Sequence, residues 1–376
     1  MPHPSPRNGW LGWRRLAWAG RGRDRAGQEE RRRHIAEQGR SVADLGEWGV
    51  IAAITGRLPA GSLTSVGIGD DAAVVTTPSG SVVAAVDLLL EGRHFRRDWS
   101  SAYDIGVKAA ARSLADIAAM GAVNTALLVA LAAPGTLPAS WPVELADGLA
   151  AEASRAGAGI VGGDTARADS VVLSVTALGD LAGRRPVLRS GASPGDVIAV
   201  AGPLGRSAAG LALLAAGVTA DGASDALAGL VAAHLRPSPP YPAGPEAAVL
   251  GATAMIDVSD GLVADLGHVA AASGVALDID RAALVTGGPL AEAAALLSEK
   301  SDSYGTDGGF SPPAIALEWV LTGGEDHSLV ATFPVSAQLP PRWRVIGQVR
   351  RADGIGVGVT VDGAPHAGPG GWQHFR

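Results

Sequence analysis

Eight acids stand apart from the other charged residues of this sequence. Asp70, Asp71, Asp87, Asp116, Asp164, Asp257, Asp260 and Glu325 each lie inside an apolar segment or at its end, mostly beside glycine. "GIGDDAAVV" (67–75) sets two carboxylates side by side, and "MIDVSDGL" (255–262) sets two three residues apart where a strand enters a helix. Adjacent like charges repel, so such a pair is cheap only on a solvated turn or beside a cation. Both readings fit Asp70 and Asp71, because Gly and Asp are also common turn residues. Asp87 is harder to place, since it interrupts the apolar run "SVVAAVDLLL" (81–90), where a buried charge must be paired or metal-bound. Hard oxygen donors with no His/Cys spacing among them suit Mg²⁺, and an acidic cleft rich in that metal would hold polyphosphate. Ser259 could cap the helix that follows it or bond a phosphate.

What is missing narrows the chemistry further. The chain has no cysteine, which excludes disulfides, Cys-ligated zinc, iron–sulfur clusters and thiol nucleophiles. Its two lysines, Lys108 and Lys300, do not follow a glycine-rich loop, so there is no P-loop, and no H-R-D or D-F-G kinase set occurs. If a nucleotide binds, metal must carry most of the phosphate charge. A net charge of −7 argues against a general nucleic-acid binder. No apolar run is long enough to cross a bilayer, so the expectation is a soluble, cytoplasmic protein with no membrane partner.

The elements that must position these acids follow from periodicity. With 376 residues, 47% of them hydrophobic, the chain is long enough for two domains, and 52 glycines and 24 prolines imply many turns. Residues 1–40 carry ten arginines against four acids and read as a disordered or weakly helical extension. Strands at 81–90, 125–134, 158–165 and 171–179 alternate with helices, one of them the Ala-rich "AYDIGVKAAARSLADIAAMGA", stopped at Gly121. On that helix Asp104, Lys108, Arg112 and Asp116 recur at i+4, making one polar stripe. For Asp104 and Lys108 the spacing predicts a solvated face with intrahelical ion pairs; Asp116, in "LADIAAMG", is surrounded by apolar residues and resists that explanation. A Gly/Pro segment places the domain boundary between 183 and 192, giving domains of 41–185 and 190–376 in an α/β (α+β) chain. Polar residues 298–313 predict a flexible surface loop.

"GIGDDAAVV", "VDLLLEGRHF", "LADIAAMGA", "GIVGGDT", "RSGASPGD", "HLRPSP", "IDVSDGLVADLGH" and "LTGGEDH" occur in the order found in the bacterial thiamine-monophosphate kinase family, over roughly residues 42–376. The resemblance implies the two-domain fold of the aminoimidazole ribonucleotide synthetase superfamily, a homodimer whose N-terminal sheets pair, and ATP-dependent phosphorylation of thiamine monophosphate with several Mg²⁺ ions. It implies that Asp70, Asp87, Asp116, Asp164, Asp257 and Asp260 hold metal, and that Gly163, Asp164, Arg189 and Ser259 contact ATP. His94, Glu325 and Trp372 would contact the acceptor. From the residues alone, His94 reads equally as a capping or packing histidine, and Trp372 equally as part of a frayed terminus. The chain departs from the family at Ala85 and Val86, where Ser or Thr is usual, and at Ser113 in place of Asn, which bears on a peripheral metal site. The alternatives are another superfamily member and a catalytically silent metal-binding homologue. No catalytic base is expected, because the acceptor phosphate oxygen is already ionised.

Overall fold

The computed structural model describes residues 41–68, 72–303, 311–353, 356–366, 368 and 370–372. The basic extension 1–40 and the pair Asp70 and Asp71 therefore lie outside the described residues. Helix α1 (Val42–Thr55) opens on a capping box in which Ser41 and Asp44 exchange hydrogen bonds. Strands β1 (Thr64–Val66) and β2 (Val74–Val75) then form a two-stranded antiparallel ribbon.

The first layered unit is β3 (Val83–Leu90), α2 (Ala102–Ala119), β4 (Val123–Ala133), α3 (Ser140–Ala156), β5 (Gly159–Arg167) and β6 (Val172–Asp180). Its sheet runs β3-β6-β4-β5, with β4 and β5 parallel and the other pairs antiparallel. Because side chains alternate along a strand, β3 turns Asp87 and Leu89 toward α2 and leaves Val86 and Leu88 exposed on the opposite face. The small residues of α2 allow close approach: at Gly106 and Gly148 a Cβ would collide with backbone of the facing helix, so α2 and α3 cross backbone to backbone.

The second unit contains β7 (Val197–Ala201), α4 (Arg206–Ala215), α5 (Asp225–Leu235), α6 (Ala243–Val249), β8 (Ala254–Asp257), α7 (Leu262–Ser273) and β9 (Ala276–Ile279). It continues through α8 (Pro289–Ser303), α9 (Pro312–Thr322), β10 (Leu329–Phe333), β11 (Trp343–Arg350), β12 (Gly358–Val361) and β13 (Ala364–Pro365). The sheet order is β13-β12-β9-β11-β7-β10-β8, antiparallel except for β9 with β12. Its central strands are buried on both faces. Ile198, Val200 and Val330 join the core under the helices of this unit, whereas Ala199, Ala201 and Phe333 join a core that also holds Leu114, Ile117 and Ala118 of α2. One hydrophobic core thus spans both units.

A strap reinforces that seam. "HLRPSPPYP" leaves α5 and crosses the first unit, where Arg236 Nε reaches Asp104 Oδ1 (3.4 Å), Pro239 accepts from Arg155 (3.1 Å) and the Tyr241 hydroxyl donates to Glu152 (2.5 Å). These contacts correct the expected polar stripe. Asp104 accepts the Ser101 N–H at the helix start and faces Arg236, while Lys108 is 2% exposed and pairs across the seam. The predicted loop 298–313 is also shorter than expected, since α8 continues to Ser303.

Candidate active site

Three of the acids singled out from the sequence, Asp87, Asp116 and Asp257, meet where the two units join. Asp87 arrives on β3, held by Ser113 of α2, whose hydroxyl donates to Asp87 Oδ2 at 2.8 Å. Asp116 lies one turn further along α2 and is hydrogen-bonded to Asp87. Asp257 comes from the other unit, at the end of β8. Burial first, then the negative charges of Asp257 and Asp87, push the Asp116 carboxyl well above the usual carboxylate range. Asp257 is buried, with His327 Nδ1 3.0 Å from its Oδ2 and in position to donate. Among the described residues no group of three or more His, Asp or Glu side chains is placed to hold a metal ion as it stands. Asp87, Asp116 and Asp257 form an acidic group at the seam that Arg112, 3.8 Å from Asp87, only partly offsets, and hard oxygen donors of this kind suit a divalent cation.

Beside this group a cavity of about 330 Å³ opens between the units, lined among others by His94, Arg112, His234, Ser259, Glu325 and Trp372. Ser259 does not cap α7, as its position had implied. The cap is Gly261, and the N–H groups of Ser259, Asp260 and Gly261 all donate to Asp265 Oδ2 at 3.0 Å. Asp265 thereby fixes the loop that carries Ser259 and Asp260 at the cavity wall. Burial and the nearby Asp257 charge push its carboxyl up to about 7, against the pull of those N–H donors.

His94 closes a turn and also faces the cavity. Its Nδ1 accepts from the Leu90 N–H at 3.0 Å, closing the turn after β3, and its ring lines the cavity. Trp372 is 58% exposed, but its backbone is tied: its N–H donates to the Asp260 carbonyl (2.9 Å), and Gly370 accepts from Ala264 (3.0 Å). A Cβ on Gly371 would collide with the Asp260 carbonyl, so glycine is what lets the tail lie flat across the start of α7.

Glu325 sits in "LTGGEDH" with φ of 63°, its N–H donating to the Ser259 carbonyl (2.8 Å). Lys108 Nζ is 2.8 Å from its Oε2, and Arg112 Nη1 donates to its Oε1 at 2.9 Å. Burial raises this carboxyl, but Lys108, Arg112 and His234 together outweigh it and hold it at about 2. His234, bonded through Nδ1 to the Ser207 hydroxyl (3.1 Å), is driven down to about 3 by burial and by Lys108. It is therefore neutral at physiological pH.

Three positions singled out from the sequence, Gly163, Asp164 and Arg189, stand away from this centre. Register places Asp164 in a row with Ala130, Ser174 and Leu88, on the exposed sheet face opposite Asp87. Gly163 packs so tightly on β4 that a Cβ would collide with the Val129 carbonyl. Arg189 is exposed, and its carbonyl accepts from Ser273 at the far end of α7. Conversely, sequence reasoning passed over Asp265, His327 and His234. The signal for Asp265 was available: an acid four residues after a glycine at a helix start can reach back to the free N–H groups.

Residues 69–181 match the family described as AIR synthase related protein, N-terminal domain, and residues 193–304 match its C-terminal domain. A thiamine-monophosphate kinase of Mycobacterium tuberculosis is 46% identical over 341 residues, covering 91% of this chain and 95% of that protein. The thiamine-monophosphate kinase structure from Stenotrophomonas maltophilia K279a superposes with a TM-score of 0.69 at 33% identity, covering 81% of this chain and 93% of that one. AaThiL complexed with AMPPCP and TMP superposes at 0.68 with 32% identity, over 88% and 98% of the two chains. With both domains matched in order and near-complete overlap with these relatives, the chain belongs to the thiamine-monophosphate kinase family, on the AIR synthase related fold.

Proposed function

We propose that this chain transfers the γ-phosphoryl group of ATP to the phosphate of thiamine monophosphate, giving thiamine diphosphate and ADP. The observation that carries the reading is the juxtaposition at one seam of an acidic group, Asp87, Asp116 and Asp257, with a cavity lined by His94, Glu325 and Trp372. The first suits a metal–polyphosphate, and the second suits a cationic heterocycle with an aromatic face and a carboxylate. Asp87, Asp116 and Asp257, with Asp70 and Asp260, would hold Mg²⁺, which when bound neutralises the phosphate charge that otherwise keeps two anions apart.

The protein's own residues supply position. Ser113 and His327 orient Asp87 and Asp257, Asp265 pins the Ser259–Asp260 loop, and the 370–372 segment lies across the start of α7 beside the cavity. No side chain need remove a proton, because the attacking phosphate oxygen is already ionised. In-line positioning of the two phosphates is then the main contribution. Ser259 would contact ATP at the cavity, and Gly163, Asp164 and Arg189, which lie outside it, would meet the part of the nucleotide that extends beyond it.

The working form in this reading is a cytoplasmic homodimer. Val86 is 64% exposed and Leu88 55%, on the sheet face that also carries Leu128, and that apolar row is where a second copy would pack. Asp164 lies in the same face, so its part in the nucleotide site depends on that pairing. The defining test is steady-state turnover with ATP, Mg²⁺ and thiamine monophosphate, with thiamine diphosphate as the product. Absence of that product from folded protein overturns the reading.

A further inference from the structure

We propose that Arg112 is a specificity-determining residue that distinguishes the phosphorylated acceptor from its unphosphorylated form, by exchanging its bond to Glu325 for the acceptor phosphate. The proposal rests on the reading above, in which the acceptor heterocycle lies by Glu325 and Trp372 and the donor phosphates lie by the acids. The acceptor phosphate must then sit between the two groups, and Arg112 is the side chain that spans that interval. Its Nη1 is 2.9 Å from Glu325 Oε1, its Nη2 is 3.8 Å from Asp87 Oδ1, and its guanidinium lines the cavity at 12% exposure.

Two further observations favour an exchange over a fixed structural pair. Arg112 Nε is buried with no hydrogen-bond partner, so the fork is only partly used as it stands. Lys108 independently holds Glu325 Oε2 at 2.8 Å, so Glu325 keeps a counter-charge when Arg112 turns away. The other basic groups around the cavity are differently placed: Arg96 is forked onto Asp98 (2.6 and 3.0 Å), Arg93 is exposed, and His94 Nδ1 is occupied by a backbone N–H. A planar guanidinium matches two phosphate oxygens at once, which an ammonium does not.

The test compares the KM for thiamine monophosphate with the Ki of unphosphorylated thiamine as a competitive inhibitor, at saturating ATP and Mg²⁺, in the wild type, Arg112→Gln and Arg112→Lys. The expected result for Arg112→Gln is a KM raised about tenfold or more with the Ki for thiamine within about twofold of wild type. Arg112→Lys, which keeps the charge and the seam, should fall between. A KM and Ki that rise together, or that both stay put, make Arg112 a structural counter-ion and overturn the assignment. Should Arg112→Gln fail to fold, the same comparison in Arg112→Lys decides. A wild type that does not convert thiamine monophosphate overturns the underlying activity, whereas wild-type turnover with an unchanged ratio in the variants overturns Arg112 alone.

Discussion

The residues that matter most here are carboxylates whose neighbours make them uncomfortable. Asp116 is raised by burial and by two other acids, so its charge exists to be compensated. Asp87→Asn and Asp116→Asn should each lower kcat by at least about a hundredfold while leaving the metal-free protein folded with a melting temperature close to wild type, since neither removes packing volume and Asp116, pushed up to about 8, carries little charge there. Paired calorimetry and turnover at saturating Mg²⁺ check this, and near-normal activity removes the residue from the metal group. The misfit of these acids with their apolar surroundings was legible in the sequence. Their partners were not. Lys108 looked like the intrahelical mate of Asp104 because i+4 spacing is a local rule, whereas Arg112 meets Glu325 213 positions away and only the fold brings that contact about.

At the scale of elements, short glycine-bearing segments do the positioning. The tail at 370–372 lies flat on the start of α7 because Gly371 has no Cβ to strike the Asp260 carbonyl. Gly371→Val should lift the tail and raise the KM for thiamine monophosphate. Trp372→Ala should do so by about tenfold, the ~1.4 kcal/mol of a cation–π contact, with little change in the KM for ATP in either variant. A rise for ATP instead would put Trp372 in the nucleotide site. The strands and long helices were readable from periodicity, and the stop at Gly121 was correct. The start of α7 was misread because a serine just before a helix resembles a cap, while the true partner, Asp265, lies inside the helix. Strand alternation alone also could not show that Asp164 and Asp87 face opposite ways, since that depends on the register of four strands.

Across the whole molecule, the seam carries titratable groups that pull in opposite directions: the raised carboxyls of Asp116 and Asp265 favour the fold as pH falls, whereas His234 and Glu325 oppose it. His234 is held near 3 in the fold against an ordinary 6.5, so below pH 6.5 the unfolded chain takes up a proton that the folded one refuses, and stability falls as pH drops. Glu325, held near 2, contributes stability above its ordinary 4.5 that is lost as pH falls from there toward 2. In thermal melts at pH 7 and pH 5, His234→Gln should change the stability difference between the two pH values by up to about 2 kcal/mol, in favour of the variant at pH 5. An unchanged difference would show that His234 does not govern it. Deleting residues 1–40, which hold none of the motifs, should leave kcat and KM unaltered; a truncated protein that folds and is inactive would contradict this. That the chain holds two domains was visible in the sequence, but their shared core was not, because alternate residues of β7 and β10 look equally apolar whichever unit they serve.

The cluster of Lys108, Arg112 and Glu325, with neutral His234 beside them, also bears on how such a chain can be recombined. Its two cations sit on α2 and its carboxylate in the second unit, and a buried charge stripped of its mate costs several kcal/mol. A chimaera that joins the first half of this chain to the second half of a distant relative inherits unmatched charges at the seam, even when each half folds well in its own parent. The two halves are therefore bound to drift as one inheritance, and a substitution at Glu325 becomes tolerable only in a lineage that has already altered α2.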